Sequence, residues 1–341
     1  MKKIRVLIVD DSQTMRRVIR RVLVSDSRLE VVGEAVDPIE ARSAIKALSP
    51  DVLILDIEMP RMNGLAFLKK IMQLRPMPVV MFSSLAQHSQ DATIQALSLG
   101  AVDCIEKPSS GSAENLSMLA ERLVVAASVN PDLLRHNGVE KNDNSRFAWN
   151  GKCVLIGAST GGVEALHVIL ANFPSNCPPT VIAQHMPASF LSSFARRLDK
   201  TLVPTVRLAE DGMELKQGQI VLAPGGERHL EIETSGPFRC RLKAGEPICG
   251  HRPSIDVMFQ SAQASASEMV GVILTGMGRD GASGLSVLRH AGALTIGQDE
   301  ASSVVYGMPK VAMENGGVSA QVPLSSIGEA ILSASSVSRV K

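Results

Sequence analysis

The chain has 341 residues, enough for two domains that each bury a core. A net charge of +1 and only 3% aromatic residues argue against a general electrostatic attraction to nucleic acid or an anionic membrane, and against a base-stacking surface. Five cysteines with no CxxC pair argue against a disulfide framework or a zinc ribbon and fit a reducing cytoplasm. The start "MKKIRVLIVDD" is too short in its apolar part to be expected to act as a signal peptide, and no apolar run reaches the roughly 18 residues of a membrane span.

From Ile4 onward, short β-branched runs alternate with amphipathic stretches: "IRVLIVD", "LEVVGEA", "DVLILDIEM", "PVVMFSS" and "AVDCIEKP" are separated by helical patterns. Near-continuous apolar strands imply a parallel sheet covered on both faces, so residues 1–125 are expected to form a flavodoxin-like (βα)5 domain, closed by the helix "AENLSMLAERLVVAAS". Residues 126–150 turn polar and rich in Asn and Asp and read as a linker, with the sole tryptophan, Trp149, docking its end. The alternation resumes with "CVLIGAS" and predicts a second doubly wound, mostly parallel α/β domain over 151–341. Antiparallel hairpin material is expected from roughly Gly218 to Lys243.

Strand C-termini of a parallel sheet share one edge. In the first domain that edge collects Asp10, Asp11, Asp56, Ser83 and Lys107, the last standing before Pro108. Three carboxylates together repel one another and invite a hard divalent cation, Mg²⁺ by default. A carboxylate flanked by that cation and a lysine is a good phosphoryl acceptor, although any single strand-end aspartate is as well explained as a helix cap. The pattern "VDD…LDIEMP…S…KP" resembles a response-regulator receiver domain. The resemblance implies Asp56 as phospho-acceptor, Asp10, Asp11, Asp56 and the Glu58 backbone carbonyl as Mg²⁺ ligands, and Ser83 and Lys107 as phosphate contacts. Receivers usually carry Tyr or Phe three residues before the lysine, whereas this chain has Cys104.

In the second domain, "KCVLIGASTGG" runs an apolar strand into Gly-x-Ser-x-Gly, a turn that can present Ser159 as a nucleophile or simply cradle a phosphate. A serine needs a base and the base an orienting group. His185 ends the next predicted strand in "PTVIAQHMP", and Asp280 lies in the turn of "VGVILTGMGRDGASG". The Met277 N–H, with help from Thr160, is placed to meet a developing oxyanion. A competing set is Ser159, Asp256 or Asp280, and His290, in the order of ordinary α/β-hydrolases; His290 falls inside a helix. Arg252 and Asp256 of "HRPSIDVMF" either frame the cleft or form a buried ion pair, and Cys240, Cys249, His229 and His251 fit no zinc spacing. "QDEASSVVYGMP" is expected to pack by the catalytic edge.

Together "IGASTGG", "QHMP", "HRPSIDVMF", "LTGMGRDGASG" and "QDEASSVVYGMP" closely resemble the chemotaxis protein-glutamate methylesterases. That resemblance implies Ser159 as nucleophile, His185 as general base and then acid, and Asp280 as orienting carboxylate. It also implies glutamate γ-methyl esters and certain glutamines of chemoreceptors as substrates, a chemoreceptor-associated histidine kinase as phosphodonor, and no cofactor for the esterase step. The attached receiver is expected to restrain the esterase until Asp56 is phosphorylated. A regulator whose second domain only binds a partner, and a hydrolase of small esters, are the alternatives; no helix-turn-helix pattern favours the former.

Overall fold

The computed structural model describes residues 2–59, 63–83, 87–107, 118–134 and 147–337, with only the backbone of 87–89. Pro108, the first part of the expected closing helix and the linker's 135–146 lie outside the described residues. The chain divides into two compact units, Met1–Asn137 and Gly138–Lys341.

In the first unit, five strands pair in parallel in the order β2-β1-β3-β4-β5: β1 Ile4–Val9, β2 Leu29–Ala35, β3 Val52–Asp56, β4 Val79–Ser83 and β5 Asp103–Glu106. The central strands are apolar at every position because helices cover both faces. Val6 to Val9, Val52 to Leu55 and Val79 to Phe82 are all fully buried. Each such side chain contributes about 1.5–3 kcal/mol. Short polar caps start the helices: Ser12 accepts from Met15 N–H at the head of α1 (Gln13–Val24), Asp37 from Ile39 and Glu40 N–H at α2 (Pro38–Leu48), and Asn63 from Ala66 N–H at α3 (Gly64–Leu74). α4 (Gln87–Ser98) and α5 (Leu119–Ala127) complete the unit, and the second forms the end of the expected closing helix.

In the second unit, β6 (Cys153–Ala158), β7 (Thr180–Gln184), β8 (Thr205–Leu208), β9 (Gln219–Leu222), β12 (Met269–Ile273), β13 (Leu294–Gln298) and β14 (Ala320–Val322) pair in parallel in the order β14-β13-β12-β6-β7-β9-β8. The strands that matter for the site are β6 (Cys153–Ala158), β7 (Thr180–Gln184) and β12 (Met269–Ile273). β6 lies at the centre, with β7 reached by one crossover and β12 on its other side, so the strand order reverses there. A crevice at the C-terminal edge of such a switch point is where open α/β sheets bind ligands.

The expected hairpin is shorter than the sequence pattern suggested. Gln219–Leu222 is β9, a parallel member of the main sheet, and only β10 (Arg228–Glu233) and β11 (Arg239–Ala244) pair antiparallel. The reason is visible in "QIVLA", a continuous apolar run whose Ile220 to Ala223 are fully buried, as a two-sided strand requires. Trp149 Nε1 donates to Lys152 O at 2.7 Å, while Asn150 N–H donates to Ser335 O and Val337 N–H to Ala148 O. The last two bonds tie the start of the second unit to the segment that follows helix Leu324–Ala334.

Candidate active site

Ser159 follows β6 directly, and Gly161, at φ +79°, turns the chain into helix α6 (Gly162–Leu170). A Cβ at Gly161 would also lie 2.7 Å from Val304 Cβ, so glycine is required on both counts. On one flank His185 N–H donates to Ala158 O at 3.0 Å, extending the Ala158–Gln184 register so that Ser159 and His185 are the next opposed pair. On the other flank Ser159 N–H donates to Thr275 O at 3.1 Å. Adjacent strands stand about 4.8 Å apart, so both neighbours are within side-chain reach of the serine.

Asp280 follows β12 and is 1% exposed. Its Oδ2 accepts from Ile255 N–H at 2.7 Å and lies 2.8 Å from His185 Nε2. Its Oδ1 accepts from the Ser254 hydroxyl at 2.8 Å and from Asp256 N–H at 3.1 Å. Burial alone would raise this carboxyl, but the hydrogen bond and charge of His185, then the Ile255 N–H and the Ser254 hydroxyl, hold it below the ordinary carboxylate range. An ionised carboxylate on Nε2 keeps the ring proton there. Among the described residues the buried Nδ1 has no hydrogen-bond partner. Nδ1 is therefore the nitrogen with a lone pair to offer.

The Met277 and Thr160 N–H groups make no hydrogen bond among the described residues, while the Thr160 carbonyl accepts from Thr275 Oγ1 at 2.9 Å. The loop expected near the catalytic edge does lie there: Gly276 N–H donates to Val305 O at 3.0 Å, and Val305 N–H donates to Thr275 Oγ1 at 2.9 Å. His290 is not brought to the site; its Nδ1 is 2.8 Å from Ser286 O on its own helix. Arg252 and Asp256 do not pair. Arg252 donates to Gly226 O and Gly245 O, and the buried Asp256 accepts from Gly284 N–H at 2.6 Å.

Sequence reasoning missed four contributors. Ser254 caps helix α7 (Ile255–Ser261) and holds Asp280; Gln184 donates through Nε2 to the Ser159 carbonyl at 2.9 Å; Thr275 fastens the loop; and His251 stacks on His185. Nothing local in the sequence links Ser254 to Asp280.

At the sheet edge of the first unit, Lys107 Nζ stands 3.0 Å from Asp10 Oδ2 and 2.8 Å from Asp56 Oδ2. Among the described residues neither Oδ2 has a well-directed hydrogen bond. Burial, with the nearby Asp10 charge adding to it, pushes the Asp56 carboxyl up to about 6 against the pull of Lys107. Burial alone would lower the Lys107 ammonium, but Asp56 and Asp10 outweigh it and raise it. Oxygens of Asp10, Asp11 and Asp56 lie within 4.8 Å of one another. This hard, partly orphaned oxygen set suits a cation such as Mg²⁺. Glu58 N–H donates to Asp56 Oδ1 at 3.2 Å. Ser83 accepts from Thr93 Oγ1 at 3.2 Å, and Cys104 Sγ stands 3.7 Å from the same Thr93 oxygen, so a buried thiol, pushed up to about 12 by burial, fills the usual aromatic position.

A profile of the CheB methylesterase family matches residues 154–331, and one of the response regulator receiver domain matches residues 6–117. The chain is 55% identical over 344 residues to the protein-glutamate methylesterase/protein-glutamine glutaminase 1 of Caulobacter vibrioides, with 99% of this chain and 100% of that one covered. It is 54% identical over 335 residues to the protein-glutamate methylesterase/protein-glutamine glutaminase of Agrobacterium fabrum, with 96% and 95% covered. The crystal structure of the Thermotoga maritima CheB methylesterase catalytic domain is similar at 39% identity and a TM-score of 0.52, covering 54% of this chain and 98% of that one. The chain belongs to the CheB methylesterase family and joins the esterase fold to a response-regulator receiver domain.

Proposed function

We propose that the protein is a phosphorylation-regulated hydrolase that demethylates glutamate γ-methyl esters on chemoreceptors and deamidates receptor glutamines. The observation that carries this reading is the His185–Asp280 pair, whose 2.8 Å contact leaves Nδ1 without a partner among the described residues, beside the strand that runs out into Ser159. Ser159 Oγ attacks the ester carbonyl and passes its proton to His185 Nδ1, and Asp280 stabilises the imidazolium. The tetrahedral oxyanion is met by the Met277 and Thr160 N–H groups. Collapse expels methanol, which takes the proton from Nδ1; water activated by the same nitrogen then hydrolyses the glutamyl-Ser159 ester, freeing carboxylate and serine. In deamidation ammonia leaves in place of methanol. These steps use no cofactor.

Regulation is assigned to residues 1–125, joined by the linker 126–150 to the catalytic domain 151–341. Asp56 accepts a phosphoryl group from a chemoreceptor-associated histidine kinase, with Ser83 and Lys107 contacting it. Asp10, Asp11, Asp56 and the Glu58 carbonyl are the residues to hold Mg²⁺, which offsets charge on the transferring oxygens when bound. The phosphorylated state then favours access to the esterase. The site of action is the cytoplasm, without nucleic-acid binding or membrane insertion; no helix among the described residues is long and apolar enough to cross a membrane. Methanol release from a methylated receptor fragment tests the reading. It should require Ser159 and rise with a small acyl-phosphate donor plus Mg²⁺, and its absence from wild type under every condition would overturn it.

A further inference from the structure

The imidazole of His251 lies face to face with that of His185, ring centroids 3.7 Å apart and planes 10° from parallel. Asp280 holds the His185 ring through Nε2 alone. The χ2 torsion of histidine is broad, so a tilt about that contact changes where Nδ1 points unless something braces the ring face.

His251 is itself fixed independently of substrate. His251 N–H donates to Ile248 O at 2.9 Å and Ile248 N–H to His251 O at 3.1 Å, closing a tight turn whose central residues, Cys249 and Gly250, have φ of +52° and +79°. On the far side of the turn Arg252 donates to Gly245 O and Gly226 O. His229 bonds Glu246 O at 2.9 Å through Nε2 and accepts from Ser254 N–H at 3.1 Å. Ser254 is the residue that also holds Asp280. The two supports of His185, Asp280 at its edge and His251 on its face, are thus built on one connected stretch.

We infer that His251 is a positioning residue for the esterase reaction: its ring braces His185 so that Nδ1 stays aimed at Ser159. The inference rests on the triad reading above. A flat ring is what the role needs, so phenylalanine should replace histidine where alanine cannot.

The test compares full-length wild type, His251→Phe and His251→Ala for methanol release from a methylated receptor fragment, together with ¹⁵N NMR of the His185 ring in the substrate-free proteins. His251→Ala should lower kcat roughly tenfold with KM within about twofold, and His251→Phe should recover most of that loss. Wild type and His251→Phe should show one His185 tautomer protonated on Nε2, and His251→Ala an averaged ring signal. Unchanged kcat in His251→Ala, a rise in KM alone, or a Phe variant as poor as Ala would overturn the inference. If wild type itself released no methanol the proposed function would fail, while the NMR comparison would still judge the brace.

Discussion

Replacing Asp280 with Asn isolates the carboxylate charge with little change of shape. Oδ2 faces two donors, His185 Nε2–H and Ile255 N–H, so the amide oxygen of Asn is retained on that side. The NH₂ then takes the Oδ1 place, where Ser254 Oγ can turn to accept but the Asp256 N–H is left facing a donor. Stability should fall by about 1–3 kcal/mol for that one buried group, not enough to unfold the domain. Catalysis should fall further. A unit charge 2.8 Å from the imidazolium is worth about 6 kcal/mol at an effective dielectric of about 20. The three other donors on Asp280 already spread its charge, and a neutral amide oxygen still accepts, so roughly half of that is lost in the transition state. About 3 kcal/mol corresponds to a fall in kcat of about two orders of magnitude. Methanol release under saturating receptor fragment measures it, with thermal unfolding as the check on folding. A kcat within about threefold of wild type would refute the assignment of Asp280 as the group that stabilises the His185 cation.

Further outcomes follow from the same geometry. Because burial lifts Asp56 from 3.8 to about 6, its contribution to stability is fully present below about pH 4 and is lost as pH rises through 6. The stability of Asp56→Asn relative to wild type in Mg²⁺-free buffer should therefore grow by on the order of 2 kcal/mol between about pH 4 and pH 7, read from urea midpoints; a flat difference contradicts the burial argument. Mg²⁺ at ten times its Kd should stabilise the receiver by about 1.4 kcal/mol in a thermal melt, and Asp11→Asn should remove most of that gain. Gly276→Ala places a Cβ 2.6 Å from Ser159 Cβ and 2.5 Å from Met308 Sδ. It should cost about 1–3 kcal/mol of stability and reduce kcat more than tenfold by shifting the nucleophile, and an active Gly276→Ala enzyme would show that the serine is less tightly confined than the packing implies.

The parts of this molecule that were legible in sequence are those governed by strand direction. Asp10, Asp56 and Lys107 are far apart in the chain, yet each ends an apolar run, and parallel pairing brings such ends to one edge; the same rule gathers Ser159, His185 and Asp280. What stayed hidden depends on tertiary contact with no local signature. His251 sits in a turn and Ser254 caps a short helix; only the packing of the 245–256 segment over the sheet edge brings one against His185 and the other against Asp280. Gln184 carries no signal of its own within the strand expected to end at His185, yet its amide donates to the Ser159 carbonyl and to that of His185. Arg252 and Asp256 suggest either a cleft frame or a buried ion pair in the sequence, whereas backbone carbonyls of two loops claim the guanidinium. The hairpin is shorter than its pattern because a continuous apolar run, Gln219–Leu222, comes shortly before an alternating one, Arg228–Glu233, and only pairing decides which strand joins which sheet.

The most direct test of the account is to trap the covalent intermediate. Wild-type protein mixed with methylated receptor fragment, quenched in acid within the first turnover and digested, should yield a peptide containing Ser159 joined by an ester to a receptor glutamate. Ser159→Ala should yield none, and Asp280→Asn should accumulate it more slowly. Methanol release at the wild-type rate with no Ser159-linked peptide, or undiminished release from Ser159→Ala, would contradict nucleophilic catalysis at this strand end.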